Sequence, residues 1–350
     1  MDFTISDDRR MLADTLRRYL AEQYPVEHRN RVAYAAPWHD PEKWDALAGL
    51  GLFHALATEE MGGIGGTGFD IAVVFEELGR ALCPEPVLGQ LMALRLVAAA
   101  GGDLAPLLSG EVRCAVAMGE PDAAHDLDLL ATRAAGDRLT GRKSVVYGGA
   151  AAARLLVAAE GPSLWEVAAH DAQVAGYGMI DGGPAAEVFL DAAPGRCLIA
   201  AAGPALADAS DWAALALAAE ALGAMEATLA MLRDHLGTRE QFGRPIGSFQ
   251  VLQHRAVDIA IEIEQARSIV ILAASAMGGP EQAKRAAQAK HLVGRIAQQV
   301  AEEAIQMHGG IAMTWDYPVS HYAKRLVMID HQMGDTDWHL ERLTAMLRAG

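Results

Sequence analysis

Cysteine is scarce in this chain: three residues in 350, Cys83, Cys114 and Cys197, far apart and without a CxxC pair. An odd, scattered set excludes a disulfide framework and a zinc site, and it fits a reducing, cytoplasmic setting. Aromatic residues reach only 6%, too few for a typical β-sandwich. Basic residues are outnumbered, 29 against 45 acidic, for a net charge of −16. That field repels a phosphate backbone, which disfavours nucleic acid as a partner but leaves room for a local basic patch on a phosphorylated small molecule. No apolar run reaches the roughly 18 uninterrupted residues of a membrane span. The opening MDFTISDDRRM is charged and lacks an apolar leader core, so neither secretion nor membrane insertion is expected. What is present is 52% hydrophobic and 21% charged residues, the balance of an Ala/Leu-rich, mostly helical protein with a sizeable core.

The hydrophobic period changes twice along the chain. Over 1–110 it is helical. Ser6 with Asp7 and Asp8 forms an N-cap signal ahead of Met11, Leu12, Leu16, Tyr19 and Leu20. Trp44, Leu47 and Leu50 mark a second helix closed by Gly51, and Asp70 to Leu82 a third that stops before Pro84. Over 111–205 the period shortens to that of strands, with candidates at Val112–Met118, Arg138–Tyr147 after a Gly-Asp turn, Arg154–Ala158 and Ala185–Leu190. They predict an antiparallel β domain joined onward through Ala202-Gly203-Pro204. Over 206–350 helical spacing returns. Asp208 or Ser210 can cap a helix through Leu236, Ser248–Met277 and Glu281–His308 form two more, and Asp335 or Asp337 opens a fourth. Short turns between long helices predict an up-and-down four-helix bundle, with Met225 and Met231 in its core.

Three segments invite a chemical reading. The glycine run MGGIGGTGF, Met61 to Phe69, lacks both a preceding strand and a P-loop lysine, so it reads as a flexible interhelical loop and not a phosphate cradle. The turn Arg239-Glu240-Gln241-Phe242-Gly243-Arg244-Pro245-Ile246, followed by Phe249-Gln250 and Gln253-His254, offers a guanidinium fork suited to phosphate and an aromatic face suited to a ring. The turn Gln306-Met307-His308-Gly309-Gly310, then Thr314 to Val319, offers an amide and an edge open to close backbone approach. Taken singly, Arg239 could cap a helix C-terminus and the paired glycines could be an ordinary helix stop. The basic stretch His321, Tyr322, Lys324, Arg325 reads as a solvated or interfacial helix face. His331 and Asp335 share a helical spacing, but no third ligand accompanies them, so no metal site is expected.

In order and at this separation, RxxFGxPIxxFQxxQH followed about fifty residues later by QxxGGxxxTxxYPV resembles the acyl-CoA dehydrogenases. The MDFTxSxxxRxL opening and Phe75 to Leu82, FEELGRAL, fit as well, and the resemblance spans essentially the whole chain. It implies a mainly α fold with a central β domain: an N-terminal helical domain (1–110), an antiparallel β domain (111–205) and a C-terminal four-helix bundle (206–350). It implies FAD as cofactor, an acyl-CoA thioester desaturated between its α and β carbons, and an electron-transfer flavoprotein as acceptor. In that chemistry a carboxylate takes the α-proton, hydrogen bonds hold the thioester oxygen, and the β-hydride passes to flavin N5.

The sequence departs from the family pattern where that chemistry resides. The base is usually a glutamate in an EGT-like turn before the last helix; here the turn reads Met333-Gly334-Asp335-Thr336-Asp337. Gly334 holds the glutamate's place, with Asp335 one residue on. Asp is a methylene shorter, and ångström-scale displacement costs about a hundredfold in rate. Some members carry the base near the start of the first bundle helix, where this chain has about Ala213; Glu220 lies two turns further on. A Trp-Ile-Thr type segment that lies against the flavin ring in the family is replaced by Gly141-Arg142-Lys143-Ser144-Val145-Val146-Tyr147, where Tyr147 could substitute.

The family's adenosine-end turns, which serve a neighbouring subunit's FAD, are the ones retained. The resemblance is therefore to the small subunits of heteromeric acyl-CoA dehydrogenases, of the pimeloyl-CoA dehydrogenase and steroid side-chain types. It implies a larger partner subunit in an α2β2 assembly, whose FAD is completed by Arg239, Gln241, Phe242, Gln250, Gln306, Gly309 and Gly310. Two alternatives stand beside it: a self-sufficient homo-oligomer with Asp335 or Glu220 as base, and a non-catalytic structural paralogue.

Overall fold

The computed structural model describes residues 6–123 and 125–349, so the MDFT of the opening motif lies outside the described residues. Helix α1 (Asp7–Gln23) begins where its cap predicts: the Ser6 hydroxyl accepts from the Arg9 N–H at 3.4 Å, and Asp7 and Asp8 occupy the positive first turn. Then come α2 (Val26–Ala33), α3 (Pro41–Gly49), α4 (Leu52–Ala55), α5 (Gly68–Arg80), α6 (Val87–Ala99) and α7 (Ala105–Leu108). Asp40 caps α3 through the Glu42 and Lys43 amides.

The glycine run connects α4 to α5 as expected of a loop, but it is tied down, not slack. Gly63, Ile64, Gly65 and Gly66 donate their N–H groups to the carbonyls of Thr58, His54, Ala57 and Ala55 at 2.8–3.1 Å. A Cβ at Gly63 or Gly66 would land on the Ala57 backbone. The glycines serve close packing, and their amides are engaged by the chain itself.

The strands are β1 (Cys114–Ala117), β2 (Arg133–Ala135), β3 (Arg138–Tyr147), β4 (Arg154–Ala159), β5 (Ser163–Ala168), β6 (Gln173–Gly178), β7 (Pro184–Pro194) and β8 (Arg196–Ile199). They form two four-stranded sheets, ordered β1-β4-β5-β8 and β2-β3-β7-β6. Every pairing is antiparallel except β1 with β4, which is parallel. The sheets close on a common apolar core that includes Ala115, Leu155, Val157 and Val167 from one and Leu139, Val146, Val188 and Leu190 from the other.

The remaining helices are α8 (Gly203–Thr238), α9 (Gln250–Ala276), α10 (Gln282–His308), α11 (Val319–His331) and α12 (Thr336–Ala349). Two expectations shift here. α8 starts at Gly203, not at Asp208 or Ser210, because Pro204 falls in the first turn, where a missing N–H costs nothing. Ser210 is interior and bonds back to the Leu206 carbonyl at 2.8 Å, while Asp208 pairs with Arg95 at 2.8 Å. The 319–331 stretch is a helix of its own between the third and fourth predicted ones, and α10 packs against α9, α11 and α12. Met225 is fully buried. By length and composition α8 could cross a membrane, but 72% of its apolar window is buried within the fold, as in the core helix of a bundle.

The chain divides into two compact units: Met1–Val26, Gly68–Cys83 and Ala214–Gly350 form one, and Glu27–Thr67 and Pro84–Ala213 the other. The first thus holds α1, α5, most of α8 and α9 to α12. The second holds both sheets with α3, α4, α6 and α7.

Candidate functional site

At one end of the bundle the chain leaves α8 through a tight hairpin, with Glu240–Gln241 paired to Arg244–Pro245. Its two central residues, Phe242 and Gly243, both have positive φ, 56° and 77°, the twist a two-residue hairpin requires. That geometry thrusts the Phe242 ring outward, 91% exposed, edge-on to Phe249 at 6.1 Å. Arg244 lies over Phe249 at 4.2 Å and so stiffens the turn. Arg239 is exposed beside it, and among the described residues its guanidinium has no hydrogen bond or ion pair. Gln241 folds onto the Glu240 carbonyl at 2.8 Å, and Gln250 opens α9 as an exposed side chain.

The second turn lies against the first. His235, one helical turn before Arg239, stacks on His308 with ring centroids 4.6 Å apart, and His308 in turn meets Tyr317 at 5.3 Å. His308 Nδ1 lies 2.8 Å from the Ala304 carbonyl, which can only accept, so this nitrogen carries the proton; Nε2 is buried without a hydrogen-bond partner. Burial pushes the His235 pKa below its ordinary value, and the neighbouring His308 and Arg239 add to the effect. The stack therefore joins the ends of α8 and α10, with burial favouring the neutral form of His235. Gln306, Gly309 and Gly310 are all exposed, and a Cβ on either glycine would meet only open space.

The possible bases lie elsewhere. Asp335 Oδ1 accepts the Trp338 N–H at 2.8 Å, so its carboxylate caps α12. The turn before it is clamped by Lys290, fully buried, whose Nζ donates to the Asp330 and Gly334 carbonyls at 2.8 Å each. Burial lowers the Lys290 pKa to about 8, against the opposing pull of Asp330 and Asp335. Gly334 has φ 91°, and a Cβ there would overlap the Trp338 ring. Glu220 is buried and accepts from Arg325 Nε at 2.7 Å. Lys290 and Gln306 are far apart on α10: at 1.5 Å per residue, roughly 24 Å along the helix. The His235–His308 contact thus joins the helix ends that carry the Arg239 and Gln306 turns, and Asp335 lies beside Lys290, well down α10 from them.

Two models of protein families match: "Acyl-CoA dehydrogenase, N-terminal domain" over residues 6–103 and "Acyl-CoA dehydrogenase, C-terminal domain" over 205–347. The acyl-CoA dehydrogenase IpdE2 of Mycobacterium tuberculosis is 33% identical over 327 residues, 92% of each chain. The chain belongs to the acyl-CoA dehydrogenase family. IpdE2 of Mycolicibacterium smegmatis is 30% identical and covers 97% of this chain and 99% of its own. Among solved structures, a variant of the Tcur3481-Tcur3483 steroid ACAD superposes with a TM-score of 0.91 at 30% identity over 99% of both chains. The ChsE4-ChsE5 complex of Mycobacterium tuberculosis does so at 0.90 and 25% over the full length of both.

Acyl-CoA dehydrogenases are oxidoreductases that act on CH–CH bonds and use FAD. The bundle end presents a guanidinium and a side-chain amide without partners among the described residues, an exposed ring and two open glycine edges. Three features carried no recognisable signal in the sequence. The His235–His308 stack joins residues 73 positions apart. Lys290 looks like any helical lysine. The stretch expected to be a solvated or interfacial face instead has structural roles: His321 Nε2 meets the Trp315 carbonyl at 2.8 Å, the Tyr322 hydroxyl donates to the Arg80 carbonyl at 2.6 Å, and Arg325 holds Glu220.

Proposed function

We propose that this chain is the small subunit of a heteromeric, FAD-dependent acyl-CoA dehydrogenase, and that its bundle end completes the adenosine side of a FAD held mainly by a larger subunit. The observation that carries this reading is the contrast between the two ends of α10. At one, Arg239 and Gln306 are exposed, with polar groups that have no partners among the described residues, on helix ends joined by the histidine stack. At the other, Asp335 is engaged as a helix cap, and Gly334 has no room for a side chain. Heteromeric names among the similar structures, a steroid ACAD of two named components and the ChsE4-ChsE5 complex, support it. They also favour a steroid-derived acyl-CoA as the substrate class.

In this assembly Arg239 neutralises a phosphate of the cofactor, Phe242 covers a flat ring, and Gln306 with the Gly309-Gly310 edge fixes its polar rim. When bound, FAD supplies the acceptor for the β-hydride of the acyl chain. The partner's carboxylate takes the α-proton, and an electron-transfer flavoprotein reoxidises the complex. The test is co-expression with a full-length acyl-CoA dehydrogenase that retains the turn glutamate. Arg239→Ala and Gln306→Ala in this chain should each release flavin from the complex without dissociating it. Full flavin retention in both variants would contradict the proposal.

A further inference from the structure

We infer that the β sandwich of this chain closes its own flavin-ring edge with an internal carboxylate, Glu187, so that β3 offers no seat for an isoalloxazine ring. The inference rests on the shared-cofactor reading and extends it to the second unit. The segment at issue is Gly141 to Tyr147, the place where the family's flavin-facing residues would stand.

The register of β3 against β7 jumps between the Lys143/Val188 pair and the Val146/Ala186 pair. Ser144 and Val145 bulge out of the ladder there. Val145 has φ 50° although it is β-branched, and its side chain is 40% exposed. A β-branched residue at positive φ persists only where its surroundings over-determine it. The determinant is on the opposite strand. Glu187 Oε1 accepts from Ser144 Oγ at 2.8 Å and from the Val145 N–H at 3.2 Å, and Oε2 accepts from Arg142 Nε at 3.0 Å. Arg142 Nη2 lies 2.9 Å from the same oxygen. Lys143 faces the other way, fully buried, with its Nζ 2.6 Å from Glu120 and 3.1 Å from the Met118 carbonyl.

The pyrimidine edge of a flavin presents carbonyl oxygens and ring nitrogens that mostly accept hydrogen bonds, so its seat must supply donors. On this bulge the Ser144 hydroxyl, the Val145 amide and the Arg142 guanidinium are all held by one carboxylate. Burial pushes the Glu187 carboxyl up, but Ser144, the Val145 amide and Arg142 outweigh it and leave the group below its ordinary range. The carboxylate is therefore ionised at neutral pH, and it would repel the negative charge a flavin gains on reduction. The donors of Arg239 and Gln306 at the bundle end thus have no partners among the described residues, whereas those on β3 are engaged.

The test separates the two halves of the cofactor on the isolated chain. ADP binding is followed by calorimetry, and ring binding by quenching of riboflavin fluorescence. The wild-type chain is expected to leave riboflavin unquenched. Glu187→Ala, and Glu187→Ser as a second variant in case the first folds poorly, should strengthen riboflavin binding by about tenfold or more. Quenching by the wild type, or no gain in a folded Glu187 variant, overturns the inference. The ADP arm reports on the other reading: binding that disappears in Arg239→Ala upholds the bundle-end site whatever riboflavin does. A riboflavin gain without any ADP binding would uphold Glu187 and sink the bundle-end assignment.

Discussion

Replacing Gly334 with alanine tests whether the turn before α12 is closed to a base by its geometry as well as by its sequence. The residue has φ 91° and follows Met333 at 54°. Left-handed backbone costs an L-residue about 1–2 kcal/mol. The new methyl would also overlap the Trp338 ring and lie 3.0 Å from His339 Nε2. His339 cannot swing away freely, because that nitrogen is bound to the Met333 carbonyl at 3.0 Å, and the Gly334 carbonyl is held by Lys290. Overpacking of this kind adds about 1–3 kcal/mol. The expected loss is therefore about 2–5 kcal/mol, read from urea unfolding followed by far-ultraviolet circular dichroism. A second change, Trp338→Leu, should recover the steric part and leave the backbone part. A loss below about 0.5 kcal/mol in Gly334→Ala would refute the reasoning. By the same geometry Gly334→Glu gives no acyl-CoA-dependent bleaching of flavin, because its carboxyl is reached only by displacing Trp338.

Glu220→Ala should cost about 3–5 kcal/mol in the same assay, because it strands Arg325 in a mostly buried site; a loss under 1 kcal/mol, by order of magnitude, would place the pair in solvent-like surroundings. Acid should weaken the bundle through His235. Its folded pKa lies below the ordinary imidazole value of about 6.5. On acidification through that value the unfolded chain therefore takes up a proton that the folded chain refuses. Stability is complete above about pH 6.5 and falls below it. His235→Gln should flatten this part of the pH dependence, and an unchanged slope would contradict the assignment. Phe242→Ala, at a ring already in solvent, should leave stability within about 0.5 kcal/mol while weakening ADP binding measured by calorimetry.

Much of the fold is written in local signals. Ser6 caps α1, β3 runs from Arg138 to Tyr147 as its alternation predicts, and Gly309 ends α10. These cases depend on residues within a few positions of one another. Other elements were less legible. Three strands, β2, β6 and β8, sit at sheet edges, where alternation has little buried length to register. The start of α8 is displaced because a proline reads as a breaker although it is at home in a first turn. The candidate site divides in the same way. Arg239, Phe242, Gln306 and the paired glycines stand in two compact motifs. The parts that depend on tertiary structure do not: the histidine stack, the Lys290 clamp and the Glu187 contacts, each made by residues more than 35 positions apart. Asp335 shows the limit most directly. The sequence offers it both as the opening of the fourth helix and as a displaced base, and the bond to the Trp338 amide is what shows the cap in place.

The central claim is that this chain supplies part of a cofactor site held mainly by another subunit. The most direct measurement is flavin absorbance per chain, first on the purified chain alone and then on its complex with a co-expressed full-length acyl-CoA dehydrogenase. The account predicts no retained flavin in the lone chain, about one flavin per pair of chains in the complex, and loss of that flavin in Arg239→Ala. A lone chain that retains flavin and bleaches it with an acyl-CoA would contradict the account and return attention to Asp335 and Glu220 as bases.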